Sequence, residues 1–149
     1  MKINWSWIAA HIPHHGSMCL LHAVTDWDGN AICCSATSHC APDNPLRNAR
    51  GLPISAGIEY AAQAMAVHGA LLAPLDRPEV GFLTSVRNVQ WSTPRLDDVG
   101  PEITVRATRL SGNEASLLYD FSVLCQERLL LHGRASVLLQ PPAASLARP

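Results

Sequence analysis

The stretch ISAGIEYAAQAMAVHGALLA, residues 54–73, decides the fold of this 149-residue chain. Alanine, leucine and methionine fill much of it, and these residues have high helix propensities. Because the stretch is apolar nearly all the way round, it predicts one long helix that is buried rather than amphipathic. Pro74 is expected to end the helix. Gly57 and Gly69 either weaken it locally or let another part of the chain come close.

The chain before this helix predicts a short helix, a hairpin and a loop. In order, these are a helix over INWSWIAAHI (3–12), strands over LLHAVTDWD (20–28) and AICCSATSH (31–39), and a loop over CAPDNPLRNARGLP (40–53). Pro13 ends the short helix because proline cannot continue the helical hydrogen bonds. The turn DGN is expected to join the two strands, since Gly29 and Asn30 tolerate positive φ.

The chain after the long helix predicts sheet. Apolar residues alternate in part over VGFLTSVRNVQW (80–91), and 102–139 reads as three more strands with turns at SGNE (111–114) and CQER (125–128). The four strands are expected to form a meander. An antiparallel sheet curled around the lone apolar helix is the economical way to cover it, which gives an α+β fold.

Length and composition predict one domain with a subunit interface. A single core suits this length, so 1–140 is expected to be one domain, followed by a Pro/Ala-rich tail over 141–149. Hydrophobic residues make up 48% of the chain and charged residues 15%. This low charge content, together with the free edge of an open sheet, favours a dimer.

Charge and cysteine content narrow the class of function. The formal net charge is −1 and there is no long basic run, which argues against a nucleic-acid partner. No apolar run approaches the ~20 residues of a membrane-spanning helix, and the N-terminal stretch is too polar for a signal peptide. The five cysteines are odd in number and form no CxxC pair. They are expected to be reduced thiols of a cytoplasmic protein.

Three polar side chains of the long helix form the first candidate site. Ser55, Glu59 and Gln63 recur every four residues, so they share one face of the helix. A carboxylate in an apolar helix is costly unless it is paired or used, which makes Glu59 a candidate catalytic group. The alternative is that Glu59 complements the helix dipole in the first turns. Gln63 alone is better explained as a hydrogen-bond partner.

The second candidate site is IPHHGSM (12–18), where His14 and His15 follow a proline. Such a histidine either bonds to a local turn or moves a proton at neutral pH, and the residues alone do not separate the two histidines. A metal site is the third possibility, but the spacing of the candidate ligands forms no compact pattern, and no metal or cofactor is expected. Those candidates are His11, His14, His15, His22, His39 and Cys40.

A histidine and a carboxyl group beside one buried helix would act as a general acid–base pair. The start of the helix, over 54–57, is expected to offer free backbone N–H groups. These groups would polarise a bound carbonyl group while the carbon next to it loses a proton.

Three stretches carry a resemblance to a known family. IPHHGSMCLLHAV (12–24) resembles the LPHRxPFLLVDRV signature of the hot-dog-fold 3-hydroxyacyl acyl-carrier-protein dehydratases, and GIEYAAQAM (57–65) resembles their helix motif GVLxxEAxAQ. GFLTSVRNVQWSTPRLDD (81–98) resembles their following strand and PGD turn. The likeness covers about residues 12–139. GIEYAAQAMAVHG and GFLTSVRNV are similar, more narrowly, to the small dehydratases of aryl-polyene biosynthesis clusters.

The resemblance implies a hot-dog dimer that removes water from 3-hydroxyacyl thioesters on acyl carrier protein to give trans-2-enoyl thioesters. It implies no cofactor. The family's catalytic histidine directly follows the proline, which corresponds to His14, and its catalytic carboxylate corresponds to Glu59. In the family, these two groups come from different subunits of a dimer. The resemblance therefore implies that this chain pairs either with a second copy of itself or with a different hot-dog dehydratase.

The remaining roles follow from that mechanism. Gln63 is expected to hold Glu59 by a hydrogen bond, and an amide near Ile54 or Ser55 is expected to stabilise the enolate-like charge. Two arginines of the preceding loop stand where an acidic carrier protein would dock, although an ordinary solvated loop explains them equally well. They are Arg47 and Arg50.

The sequence also departs from the family pattern. The second proline of the signature is Ser17, the usual aspartate is His22, and Gly57 lies two residues before Glu59 where the family's glycine lies five before. These departures leave the acid–base pair intact and bear on the substrate shape and the loop geometry. Two rival functions also remain open. One is a hot-dog thioesterase, which does not need the histidine, and the other is a non-catalytic hot-dog subunit that supports a partner dehydratase.

Overall fold

A computed structural model describes residues 3–73 and 81–139 as one antiparallel sheet and two helices. Two short 3₁₀ turns, Gly16–Met18 and Ser38–Cys40, complete the regular structure of these residues. The elements in chain order are β1 (Ile3–Asn4), α1 (Trp5–His11), β2 (Ala23–Trp27), β3 (Ala31–Ala36), α2 (Ala56–Leu72), β4 (Gly81–Trp91), β5 (Ile103–Gly112), β6 (Ser116–Cys125) and β7 (Arg128–Leu139).

The seven strands lie in the order β1-β2-β3-β5-β6-β7-β4. The predicted four-strand meander is therefore only partly right. Strands β5, β6 and β7 follow one another as a meander, but β4 crosses to the far edge and pairs only with β7. Strand β3 occupies the place beside β5 that a simple meander would give to β4.

Helix α2 is the buried element around which the sheet is built. It begins at Ala56, two residues later than predicted, and ends at Leu72, while Pro74 lies outside the described residues. Tyr60, Ala61 and Ala64 have no exposed surface. They pack into a core shared with the inward side chains of the sheet, which is the arrangement that the hot-dog resemblance predicts.

The N-terminal elements differ from the prediction at their ends. Helix α1 is confirmed over Trp5–His11, but Ile3 and Asn4 form a short strand that pairs with β2. Both strands of the predicted hairpin are shorter than expected, because residues 20–22 precede β2 and a 3₁₀ turn follows β3. The hairpin itself is present, with Val24 opposite Cys34.

The hairpin turns use different chemistry from that predicted. Gly29 and Asn30 are not in positive φ. Instead, the Asp28 carboxylate accepts hydrogen bonds from the backbone N–H groups of Asn30 and Ala31, at 2.8 and 2.9 Å. Such an Asx turn closes the loop without a left-handed residue.

The turn between β6 and β7 is the one that does use positive φ. Gln126 and Glu127 have φ of 50° and 68°. Two successive left-handed residues match the right-handed twist of the flanking strands. The predicted turn at CQER is therefore confirmed, although its two central residues, Gln126 and Glu127, are not glycine.

One edge of the sheet is long and apolar. Strand β4 has 11 residues, no partner on its outer side among the described residues, and exposed apolar side chains at Phe82, Leu83 and Trp91. Trp91 is 62% exposed. The opposite edge, β1, has only two residues. An unpaired apolar edge of this length invites a second chain.

Each of the five cysteines is a free thiol. Cys19, Cys34 and Cys125 are buried, and burial raises the pKa of the Cys34 thiol to about 12. None of the described helices combines the length and the hydropathy needed to cross a membrane. The predicted tail over 141–149 lies outside the described residues.

Candidate active site

A cavity of about 980 Å³ lies between α2, the C-terminal end of α1 and the concave side of the sheet. One face of α2 forms an apolar wall of small side chains, and β4, β5, β6 and β7 supply the opposite wall. Small side chains leave room beside a helix that large ones would fill. The helix residues that line it are Ala62, Met65, Ala66, Gly69, Ala70, Leu72.

His14 lines this cavity, whereas the exposed His15 is not among its described lining residues. The structure thus separates two histidines that the sequence left equivalent. The Nδ1 atom of His14 is buried and has no hydrogen-bond partner among the described residues. A buried ring nitrogen without a partner is costly, so a bound molecule or a second chain would stabilise it.

Gln63 fixes the segment that follows His14. Its Oε1 accepts a hydrogen bond from the Leu20 N–H at 2.9 Å, and its Nε2 donates to the Met18 carbonyl at 2.6 Å. The side chain is fully buried. The prediction that Gln63 holds Glu59 is wrong, because its recorded partners are backbone groups of the PHHGSM segment rather than the carboxylate.

Glu59 lies in the first turn of α2 and is exposed. It is not among the described residues that line the cavity, so Glu59 and His14 do not share that lining within one chain. The position agrees with both earlier readings of Glu59. It is where a carboxylate complements the helix dipole, and it is open to a second subunit.

Most backbone N–H groups at the start of α2 are already used. The Ile54 N–H donates to the Pro94 carbonyl at 3.0 Å, so Ile54 is not the free oxyanion donor that was expected. The N–H groups of Ala56, Gly57 and Ile58 close tight turns onto carbonyls three residues earlier. Ser55, which is exposed and makes no side-chain cap, has no backbone acceptor for its N–H among the described residues.

A buried polar network at the cavity wall was missed by the sequence analysis. Arg109 donates from Nε and Nη2 to the Tyr119 hydroxyl oxygen, at 3.2 and 2.8 Å. The same hydroxyl lies 2.7 Å from Nδ1 of His68, whose Nε2 lies 2.8 Å from the Asp28 carbonyl. Arg109 and Tyr119 line the cavity. The available signal was His68 itself, a titratable side chain in an otherwise apolar stretch.

The chemistry of the groups fixes every proton in this network. A carbonyl only accepts, so His68 carries its proton on Nε2. Burial lowers the pKa of His68, which keeps the ring neutral and leaves Nδ1 as an acceptor. Arginine only donates, so the Tyr119 oxygen accepts from Arg109 and its own proton goes to His68. Burial also raises the pKa of Tyr119.

His11 is a second imidazole in the cavity lining. Its ring stacks on Trp7 with centroids 3.8 Å apart, and its Nδ1 donates to the Trp7 carbonyl at 2.7 Å. These contacts are local to one turn of α1, so they hold the ring in place within the short helix.

Arg47, one of the two predicted docking arginines, belongs to an ion-pair network inside the chain. Asp97 pairs with Arg95 at 2.8 Å and with Arg47 at 3.5 Å. The hydrogen bond from Arg95 is the main cause that lowers the pKa of Asp97 to about 2. Arg50 is exposed and has no ion pair among the described residues.

The candidate metal ligands do not assemble. Across residues 3–73 and 81–139, no three His, Cys, Asp or Glu side chains cluster closely enough to hold a metal ion. His39 is instead fully buried and bonds through Nε2 to the Gly100 carbonyl at 2.7 Å.

Comparison with known proteins identifies the family. A family model for the ApeP dehydratase matches residues 6–147. The chain belongs to the ApeP-like dehydratase family. It is also similar to a chain of the dehydratase heterocomplex ApeI:P from Xenorhabdus doucetiae, with a TM-score of 0.78, 25% identity and 93% of each chain covered. This match confirms the hot-dog fold that the resemblance predicted.

Other hot-dog proteins share the fold of this ApeP-like chain at lower identity. A thioesterase from Haemophilus influenzae matches with a TM-score of 0.61 and 11% identity, covering 81% of this chain and 79% of its own. The PaaI protein from the phenylacetic acid degradation operon of E. coli matches with a TM-score of 0.63 and 11% identity, covering 90% and 88%. These two matches show the fold alone. No curated protein sequence matches the chain.

Proposed function

We propose that this member of the dehydratase family removes water from 3-hydroxyacyl thioesters carried on acyl carrier protein, giving trans-2-enoyl thioesters. The observation that carries the proposal is the position of His14 on an apolar cavity of acyl-chain size. Pockets of this volume bury most of a small ligand, and an apolar wall suits a hydrocarbon chain. Histidine is the side chain that most often serves as a general base in enzymes.

In the proposed reaction, His14 takes the α-proton and the carbon–oxygen bond at C3 breaks as the double bond forms. The Glu59 carboxyl group orients the departing hydroxyl and supplies the proton that completes water. The proton on His14 then returns to the carboxylate, so the site is reset without metal or nucleotide. The Ser55 N–H is the remaining candidate for stabilising the enolate-like oxygen.

The proposal requires two chains. Because Glu59 does not line the His14 cavity of its own chain, it would face the His14 cavity of its partner. The exposed apolar edge β4 offers a surface for that pairing. The partner is a second copy or another hot-dog dehydratase.

The carrier protein and the cellular setting belong to the same proposal. Arg50 lies in the loop before α2, where its unpaired charge would attract an acidic carrier protein. Arg47 contributes less, since Asp97 already neutralises part of its charge. We expect the reaction to take place in the cytoplasm, where the thiols stay reduced.

The first test is product analysis by mass spectrometry on a 3-hydroxyacyl carrier protein. Wild type is expected to release water, and His14→Ala is expected to lose roughly 100-fold or more in turnover, the usual size of a lost general base. Glu59→Gln is expected to lose a similar factor. His15→Ala is the matched control and should retain turnover. Free acid as the product would instead indicate a thioesterase.

A mixing experiment tests whether the site is shared. His14→Ala and Glu59→Gln subunits are each expected to be inactive, but mixing them forms dimers with one intact site. Random pairing would restore about a quarter of wild-type activity, since half of the dimers are mixed and each has one good site of two. No recovery on mixing would mean that the two residues do not act across the interface of a homodimer.

A second candidate function is a subunit that supports a partner dehydratase. The similarity to a chain of a dehydratase heterocomplex favours it. This reading predicts an inactive protein alone and a stable hetero-complex by light scattering. Turnover by the isolated chain, with His14 dependence, would eliminate it.

A further inference from the structure

Arg109 is the one positively charged arginine or lysine side chain among the described residues that line the cavity. It is half-buried and forms no ion pair among residues 3–73 and 81–139. A partly buried cation without a carboxylate is unfavourable unless other acceptors solvate it. In the free protein, water molecules in the cavity would accept hydrogen bonds from the guanidinium. A bound acyl chain would displace that water.

The Tyr119 hydroxyl accepts hydrogen bonds from Arg109 but does not use all of the N–H donors of its guanidinium. A guanidinium has five N–H donors. Two of them, on Nε and Nη2, go to the Tyr119 oxygen, which leaves three without an acceptor among the described side chains. Because Tyr119 gives its own proton to His68, the hydroxyl offers nothing to a ligand. What Arg109 and Tyr119 together offer a ligand is therefore hydrogen-bond donors, while Asn113 and Glu114 supply acceptors elsewhere on the lining.

The orientation of Arg109 is fixed in advance. Its guanidinium carbon lies 5.3 Å from the centre of the Tyr119 ring, and Tyr119 is tied through His68 to α2 and through Asp28 to the β2–β3 turn. A preorganised donor loses little conformational freedom when a ligand binds, so its contribution to affinity is large.

Arg109 and His14 are attached to α2 at different levels. Gln63 holds the segment after His14, whereas His68 holds Tyr119 and with it Arg109. Gln63 and His68 are five positions apart along the helix, which is a rise of about 7.5 Å. Between them, Met65 and Ala66 line the cavity with apolar surface.

From this geometry we infer that Arg109 selects acyl groups that carry an oxygen acceptor, a hydroxyl or a carboxylate, beyond an apolar stretch remote from the thioester. The inference rests on the proposed function, with the thioester at His14. The apolar stretch lies along Met65 and Ala66, and the remote oxygen accepts from the free N–H groups of Arg109. A plain alkyl chain would strip water from the guanidinium and offer no acceptor in return.

The test compares 3-hydroxyacyl carrier-protein substrates of equal length that end in methyl, hydroxyl or carboxylate. In the assembled wild-type protein, kcat/KM for the oxygen-terminated chains is expected to exceed that for the methyl chain by roughly tenfold, mainly through KM. In the Arg109→Met variant, kcat/KM for the three substrates should become nearly equal. The matched control is Arg106→Met, which removes an exposed arginine of the same strand and should keep the preference.

A binding measurement keeps this inference separate from the proposed reaction. Non-hydrolysable pantetheine amides of the same three acyl groups are titrated calorimetrically, which needs no turnover. A preference that Arg109→Met abolishes supports the inference even if no water is eliminated. Equal binding of all three ends, or a preference that survives Arg109→Met, overturns it even if dehydration is observed. Because each comparison is a ratio within one protein, partial unfolding of a variant does not mimic the effect.

Discussion

At the scale of single residues, His68 shows how the fold sets a protonation state. It is fully buried in α2, and its two ring nitrogens bond to the Tyr119 hydroxyl and the Asp28 carbonyl. Burial lowers its pKa most, and the charge of Arg109 lowers it further, while the bond to the Asp28 carbonyl and the Asp28 carboxylate oppose the shift. The neutral ring keeps the tyrosine proton directed away from the cavity.

This lowered pKa makes stability depend on pH. As pH falls below about 6.5, His68 of the unfolded chain gains a proton while the folded ring stays neutral, so the free energy of unfolding decreases. The decrease stops once pH passes the lowered folded pKa. His68→Asn is therefore expected to give a shallower loss of stability between about pH 7.5 and 5 in urea titrations. An unchanged slope would contradict the prediction.

Two other groups also affect how the free energy of unfolding depends on pH. Burial lowers the pKa of His39, which adds to the loss below about pH 6.5. Asp97 acts at lower pH, because its folded pKa of about 2 lies below its ordinary 3.8, and its contribution is lost as pH falls between those values. His22→Asn, at an exposed ring, is the control for His68→Asn.

A residue of the site could be predicted from the sequence only where its own position in the sequence was unusual. The histidine after the proline and the carboxylate of the helix were visible in the sequence, and the structure adds which of the two histidines lines a cavity. The network of Arg109, Tyr119 and His68 was not visible. Its members come from three elements, and only packing shows that their polar atoms meet.

At the scale of elements, α2 contains two glycines with opposite surroundings. A Cβ on Gly57 would lie 2.6 Å from the Cδ2 atom of Leu131 and 3.4 Å from Cγ2 of Val123. A Cβ on Gly69 would meet nothing within 4 Å, because Gly69 lines the cavity. The sequence left two roles open for these glycines, a close approach by another part of the chain or a local weakening of the helix, and each role is found at one of them. Gly57 permits a close approach by the sheet, and Gly69 simply weakens the helix.

Replacing each glycine by alanine should separate the two effects. Gly69→Ala is expected to raise the free energy of unfolding by about 0.5–1 kcal/mol, the usual gain in helix propensity. Gly57→Ala must displace the buried Leu131 side chain, so its free energy of unfolding should fall at least about 1 kcal/mol below that of Gly69→Ala. Urea denaturation measures both. Equal values would show that Leu131 moves aside without cost.

Element types were predictable, but several boundaries and one connection were not. The long apolar run and the strand alternation are local signals, so they predict α2 and the strands β2 to β7. Strand β1 is two residues long and exists only because β2 lies beside it. The crossing of β4 to the far edge depends on β3 taking the place beside β5. That choice involves residues far apart in sequence, and no local pattern encodes it.

At the scale of the whole molecule, the apolar edge β4 favours assembly. Trp91 is its most exposed large side chain, at 62%, and Phe82 follows at 52%. A lysine on an edge strand opposes pairing with another chain. We expect the wild type to behave as a dimer in light scattering and Trp91→Lys to shift toward monomer.

Trp27 provides the matched control for that experiment. It is 39% exposed and lies on β2, at the other end of the sheet. Trp27→Lys introduces the same charge in place of the same ring and should leave the oligomeric state unchanged. If both variants dissociate, or neither does, β4 is not the assembly surface.

The position of β4 in the chain also affects how the protein is made. Thr84 of β4 bonds to the carbonyl of Ser136, 52 residues later, and β7 is the only strand that pairs with β4 among the described residues. During synthesis, β4 therefore leaves the ribosome before β7 does, because β7 follows it in the chain. For that interval an apolar strand with both edges open is exposed to other nascent chains. Early packing of α2 against the strands already made, or a chaperone, would protect β4 until β7 emerges.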